Sequence, residues 1–275
     1  MKFQYFTYFL NPLSQQSLFP DTRDKNDILK QIVSKKMEFQ NGQANLVYIC
    51  HSQSNNFIHA KLGKKSSIKK TLPSENDFVE EIETNYPNCH LLFNFSSDPN
   101  TGQKIAFEYR AEIFKSPEAQ LKALEKQINS ELFSSGYAMS IHPIVDEKEF
   151  WTIVNSYQGK IEKLTFSYAV PNLFNLQNAL SDDLKSSGEK YGITNTTIVL
   201  ENKDGKLQVP SDDPFIAQSA EYTGKGGGEY KLKIKGLKSE ISSGKNVKTK
   251  NFEELEFNTD NPESMETLIN KIFTN

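Results

Sequence analysis

Residues Ser116 to His142 read SPEAQLKALEKQINSELFSSGYAMSIH, and they carry the clearest helix-to-strand change in the chain. Ser116 is placed as a helix N-cap, whose side-chain oxygen accepts an unpaired N–H of the first turn, and Pro117 stands at the first helical position. Leu121, Leu124, Ile128 and Leu132 follow at helical spacing, so one stripe of this helix is apolar. Gly136 lies just beyond the stop, and Tyr137–His142 then alternates with the period of a strand. A helix gives way to a strand here, and no regular strand–helix–strand rhythm appears elsewhere. The expected class is α+β, with mostly antiparallel or mixed sheets and helices packed on them.

On either side, helices are expected from about Asp24 (Ile28, Leu29, Ile32, Val33) and from the capping box Asp146 to Glu149 (Phe150, Trp151, Val154, Tyr157). A last helix starts at Asn261-Pro262 and carries Met265, Leu268, Ile269 and Ile272. Two more are expected at about Leu173–Lys185 and, opened by Ser74 to Asp77, over the acidic stretch Glu75–Glu83. Strands are expected at Lys2–Phe9, Asn45–His51, Phe57–Leu62, His90–Phe95, Lys104–Arg110, Tyr137–His142, Ile161–Ala169 and Thr196–Leu200. Asp98–Gly102 and Asn202–Gly205 carry turn chemistry, the latter before a short strand Leu207–Val209. The glycines Gly226–Gly228 read as a hairpin turn before the alternating Tyr230–Lys235, and Lys238–Lys250 as a mobile loop. The chain divides into two halves, 1–145 and 146–275, with one continuous sheet as the alternative.

Composition narrows the function classes. At 275 residues with 11% aromatics the chain can build a core without disulfides or metals. Cys50 and Cys89 make no disulfide framework, no apolar run nears the roughly 18 residues that span a bilayer, and a cytoplasmic location without membrane contact is expected. Of 32 basic residues only Arg23 and Arg110 are arginine. Lysine is a mobile point charge, suited to non-specific phosphate contact more than to bidentate recognition. With a net charge of −3, any nucleic-acid surface must be local.

Several chemistries fail on spacing. Cys50-His51 and Cys89-His90, with His59 between them, suggest zinc, but neighbours in a strand point to opposite faces, so neither dipeptide offers both ligands to one ion. No metal or other cofactor is assigned. Gly63-Lys64-Lys65-Ser66 looks like the end of a phosphate loop, but Ile58 stands where its first glycine belongs. Glu201-Asn202-Lys203 has the acid-x-lysine spacing of restriction-endonuclease-like enzymes. With Asp183 as partner acid, Glu201 and Lys203 would form a nuclease site using Mg²⁺.

Lysine clustering is the remaining signal. Phe57–Lys70 contains Lys61, Lys64, Lys65, Lys69 and Lys70 and no acid. Thr223–Lys250 contains eight lysines against Glu229 and Glu240; Lys225 precedes the glycines, and Lys231, Lys233 and Lys235 share one strand face. Such rows can follow a phosphate backbone, whereas a solvated or protected strand face is the plainer reading.

Ile105-Ala106-Phe107-Glu108, Phe114-Lys115-Ser116-Pro117, Gly136–Ile144 and Val170-Pro171-Asn172 together resemble uncharacterised bacterial proteins found among phage-defence genes. The resemblance implies a role against foreign nucleic acid and no catalytic residues. The expected function is a non-enzymatic subunit that binds DNA or RNA through the lysines. The alternatives are the Glu201/Lys203 nuclease and a protein–protein adaptor docking other subunits through the acidic helix or the last one.

Overall fold

The structure is a computed structural model that describes residues 1–13, 23–73, 75, 77–96, 102–170, 179–253 and 262–274. The chain opens with strand β1 (Lys2–Pro12), helix α1 (Lys25–Val33) and the strands β2 (Met37–Asn41), β3 (Ala44–Gln53) and β4 (Phe57–Lys64). A ribbon of β5 (Ser66–Thr71) and β6 (Glu80–Asn85) leads to β7 (Asn88–Asn94) and β8 (Lys104–Glu108). Helix α2 (Pro117–Leu132) and β9 (Tyr137–Pro143) complete this run. There follow α3 (Glu147–Ser156), β10 (Ile161–Ala169), α4 (Ala179–Tyr191) and β11 (Asn195–Glu201). After these come α5 (Pro214–Gly224), β12 (Gly228–Ile234), β13 (Ile241–Ser242), β14 (Thr249–Asn251) and α6 (Pro262–Thr274).

The class is α+β, with antiparallel sheets. Eight strands form one sheet in the order β14-β1-β8-β7-β4-β3-β2, with β9 also on β1; four form a second in the order β11-β10-β12-β13. The stretch from Ser116 behaves as its residues dictate. The Ser116 hydroxyl accepts from the Ala119 N–H at 3.3 Å, and Leu121, Leu124, Ile128 and Leu132 are buried. Gly136 takes φ +77°, a left-handed stop that favours glycine.

Alternation sorts the first sheet into two faces. One meets α1 and α2 in a core built on Tyr8, Tyr48, Leu62, Leu91, Phe93 and Phe107. The other is partly covered by α6, whose Met265, Ile269, Ile272 and Phe273 pack on Phe3, Tyr5, Phe57, Leu92 and Ala106. The second sheet has its own core, where Leu164, Phe166, Tyr168, Tyr230 and Leu232 meet Phe150 of α3, Leu184 of α4 and Ile216 of α5. Because β14 pairs with β1 and α6 packs on the first sheet, residues 146–275 are shared between the two sheets.

Four expectations are corrected. Glu80–Glu83 of the expected acidic helix lie in strand β6, paired with the basic β5, because lysine–glutamate pairing across two strands satisfies backbone and charge together. The glycines Gly226–Gly228 join a helix to a strand instead of closing a hairpin. Helix α5 lies outside the helices expected from sequence; Asp213-Pro214 is its cap signal, and the Asp213 carboxylate accepts from the Ile216 N–H at 3.0 Å. The 238–250 segment is pinned: it forms β13 and β14, and Ser243 and Val247 are buried. Leu207–Val209 makes no strand; one bond from the Leu207 N–H to the Ile161 carbonyl holds it. Helix α4 begins at Ala179, and residues 171–178 of the expected Leu173–Lys185 helix lie outside the described residues. Residues 98–101 of the Asp98–Gly102 turn also lie outside them, though β7 and β8 pair across it.

The glycine run sets the seam between the sheets. A side chain at Gly228 would run into the Ser167 backbone, and one at Gly226, at φ +84°, into Thr7. Only glycine lets these backbones approach so closely. Beside them the His142 Nδ1 lies 3.8 Å from the Glu229 carboxylate, and this neighbouring imidazole holds the carboxyl below its usual range. No helix among the described residues is long and apolar enough to cross a membrane.

Candidate functional site

The α6-bearing face of the first sheet is built in cross-strand rows. Val47, Gly63 and Asn88 stand abreast on β3, β4 and β7; Ile49, Lys61 and His90 form the next row; His59 and Leu92 belong to the one after. A register shift between Cys50 and Ser52 makes a bulge at His51, and its ring stacks on His59 with centroids 5.8 Å apart. Helix α6 covers the Phe57–Leu92 end. The other end is open.

There a groove of about 430 Å³ is floored by Val47, Ile49 and Gly63 and lined by Lys36, Glu38, His51, Lys61, Tyr86 and Asn88. Gly63 has no side chain and is therefore the low point of the floor. Tyr86, 47% exposed, stands where the β5–β6 ribbon leaves the sheet, and Ile49 is 42% exposed. The Asn88 amide donates to the Tyr86 carbonyl at 3.1 Å, holding this corner in place.

Three of the four histidines converge beside the groove. His59 Nε2 and His90 Nδ1 are 2.8 Å apart, so one ring donates while the other accepts, and the two cannot both be protonated at these atoms. Burial pushes His59 down to about 3, reinforced by His90, His51 and Lys61; burial pushes His90 down to about 4, reinforced by Lys61, His51 and Arg110. Burial also lowers His51. The three imidazoles are neutral near pH 7. Cys50 and Cys89 point to the opposite face, into the α1/α2 core, as strand alternation requires. Among the described residues no group of three or more His, Cys, Asp or Glu side chains could hold a metal ion.

The lysines expected to bind together are divided by their neighbours. Lys61 lines the groove, and Lys65 is close enough to Glu38 for its charge to act on that carboxylate. Lys64 belongs by alternation to the opposite face. Neither Lys61, Lys64 nor Lys65 has an ion pair among the described residues. Lys69 and Lys70 pair with Glu80 and Glu83 at 2.9 and 3.3 Å, so the stretch that lacked acids in sequence meets them across the ribbon.

On the second sheet Lys231, Lys233 and Lys235 are exposed, and Tyr230, Leu232 and Ile234 are buried, as alternation predicted. Acids accompany them. Lys233 lies 3.8 Å from Glu162, Lys231 is close enough to Glu229 for its charge to act on that carboxylate, and Lys163 pairs with Glu240 at 3.1 Å. Lys235 donates to the Asp204 carbonyl, and Lys225 pairs with Glu221 at 2.6 Å.

The nuclease constellation is not assembled. Leu200 and Ile198 of β11 pack in the same core as Leu184 of α4, so Glu201, on the alternate face, points away from the helix that carries Asp183. Glu201 stands opposite Lys163 on β10, and Lys203 is exposed in the turn that follows. No family model matches the chain, no curated protein matches it, and no solved structure matches its fold.

Sequence reasoning missed the groove. The outward parity of His51, His59, Lys61 and His90 was readable from alternation. Their convergence depends on the β3–β4–β7 register, and Tyr86 joins them only because the ribbon folds back at Asn85–Asn88.

Proposed function

We propose that the protein is a non-enzymatic binding module that takes nucleic acid on the open face of its first sheet. The observation that carries the reading is the groove itself. Lys61, without an ion pair among the described residues, stands beside exposed Tyr86 and His51 on a floor of small and aliphatic side chains. Cations for phosphate next to ring faces for bases are the two components of sheet-based nucleic-acid recognition. The neutral His51 adds a polar edge without opposing charge. A place among defence proteins that meet foreign nucleic acid fits this reading, and no catalytic step is needed for it.

Fluorescence anisotropy with labelled oligonucleotides at low salt tests it. Binding should weaken as salt rises and fall sharply in the Lys61→Glu/Lys65→Glu variant. Absence of binding to DNA and RNA at low ionic strength sinks the proposal.

A second reading, a protein–protein adaptor, is favoured by the β5–β6 ribbon. It stands apart from both sheets and exposes Ile82 (72%) and Phe78 (65%). An isolated two-stranded ribbon is marginally stable in water, which is consistent with a partner protein bracing it. Purification with a neighbouring gene product and free of nucleic acid, as judged by the absorbance ratio at 260 and 280 nm, favours this reading over the first.

A further inference from the structure

The charge around the groove limits how much phosphate it can engage. Lys36 is occupied by Glu38, and Lys69 and Lys70 by Glu80 and Glu83. The ribbon beyond Tyr86 therefore offers no free lysine and carries Glu81 besides. A polyanion continuing that way meets acid. Among the described residues, Lys61 and Lys65 are the unpaired lysines at this end of the groove face, far fewer than the 6–10 contacts of a typical duplex-binding surface.

The groove's depth points the same way. Gly63 lies between Val47 and Asn88 with no side chain above the backbone, and the exposed Tyr86 ring stands at the rim. A base still paired in a duplex presents only its edge to a protein, whereas an unpaired base presents a face that an aromatic ring can stack upon. Resting on the nucleic-acid reading above, we infer that the ligand is single-stranded and that one unpaired base enters the groove over Gly63, against Tyr86, with its flanking phosphates on Lys61 and Lys65.

Two substitutions probe the base without touching the charge. Tyr86→Ala removes an exposed ring. Gly63→Leu fills the floor, and the position tolerates a side chain: a Cβ there meets the Asn88 Cβ at 3.6 Å and the Val47 carbonyl at 3.8 Å, ordinary contact distances. The experiment is fluorescence anisotropy of the full chain with a labelled mixed-sequence single strand and with the same strand annealed to its complement, across a salt series.

The expected result is single-strand binding about tenfold or more tighter than duplex binding, with a log–log salt slope of about −1.4, as two phosphate contacts on a single strand give. Each variant should weaken single-strand binding by about tenfold or more and leave that slope unchanged. Equal affinity for duplex, a slope several times steeper, or unchanged affinity in both variants overturns the base-in-groove inference while nucleic-acid binding still stands. No binding of either ligand at low salt overturns both.

Discussion

The outer faces of both sheets carry lysines, and they differ in what stands beside each one. On the second sheet the register sets Glu201 opposite Lys163, while Glu162 and Glu240 lie within 4 Å of Lys233 and Lys163. On the first, the neighbours of Lys61 across the strands are Ile49 and His90, one aliphatic and one a neutral imidazole. The same residue type is thus a component of a solvated, self-neutralised surface in one place and an uncompensated cation beside an open floor in the other. Local lysine count does not distinguish them. Cross-strand partners do.

The largest expected effect separates the faces by pH. His59 and His90 have folded values of about 3 and about 4, below the ordinary imidazole value, so the unfolded chain takes up their protons first as pH falls. Stability contributed by the first sheet is full above about pH 6.5 and declines as pH falls toward 4. Between pH 7 and pH 5 the loss should be about 2–4 kcal/mol by urea unfolding, and His59→Phe should flatten part of that slope. An unchanged midpoint across this range would contradict the burial of the pair.

Next in size is the binding contrast. Lys61→Glu/Lys65→Glu should weaken oligonucleotide binding by about thirtyfold, roughly 2 kcal/mol, while Lys231→Glu/Lys233→Glu changes it by less than about threefold. Equal losses from both pairs would erase the distinction between the faces.

A smaller effect tests the scaffold of the second sheet alone. Asp213→Ala removes the cap of α5 and should cost about 1 kcal/mol in thermal or chemical unfolding, with binding at the groove unaltered. The smallest concerns the ribbon. Lys69→Ala breaks an exposed pair with Glu80 and should change stability by less than about 0.5 kcal/mol and leave affinity as it was. A marked loss of affinity would place Lys69 among the phosphate contacts after all.

Much of the architecture was legible because it is local. Capping at Ser116 and Asp146, the apolar stripe of α2, and alternation in β9, β10 and β12 depend on residues a few positions apart. What was not legible depends on pairing between distant segments. The acids facing Lys69 and Lys70 lie 11 and 13 residues away, and read along the chain they resembled a helix start. The glycines at 226–228 read as a flexible turn because their packing partners, Thr7 and Ser167, are remote. For the site, the lysines were visible as a composition bias. Which of them kept a free charge was decided by register, and so was the meeting of three histidines from three strands.

The pairing of β1 with β14 has a consequence for how the protein is made. Lys2 is registered with Asn251, and the amino group of Met1 donates to the Phe252 carbonyl at 2.7 Å. A ribosome adding about 5–20 residues per second needs on the order of 12–50 s to travel from one strand to the other. Throughout that interval the β1 edge is unpaired at its start, and the apolar face around Phe3 and Tyr5 lacks its covering helix. The nascent chain therefore depends on holding that edge from other chains until β14 and α6 emerge.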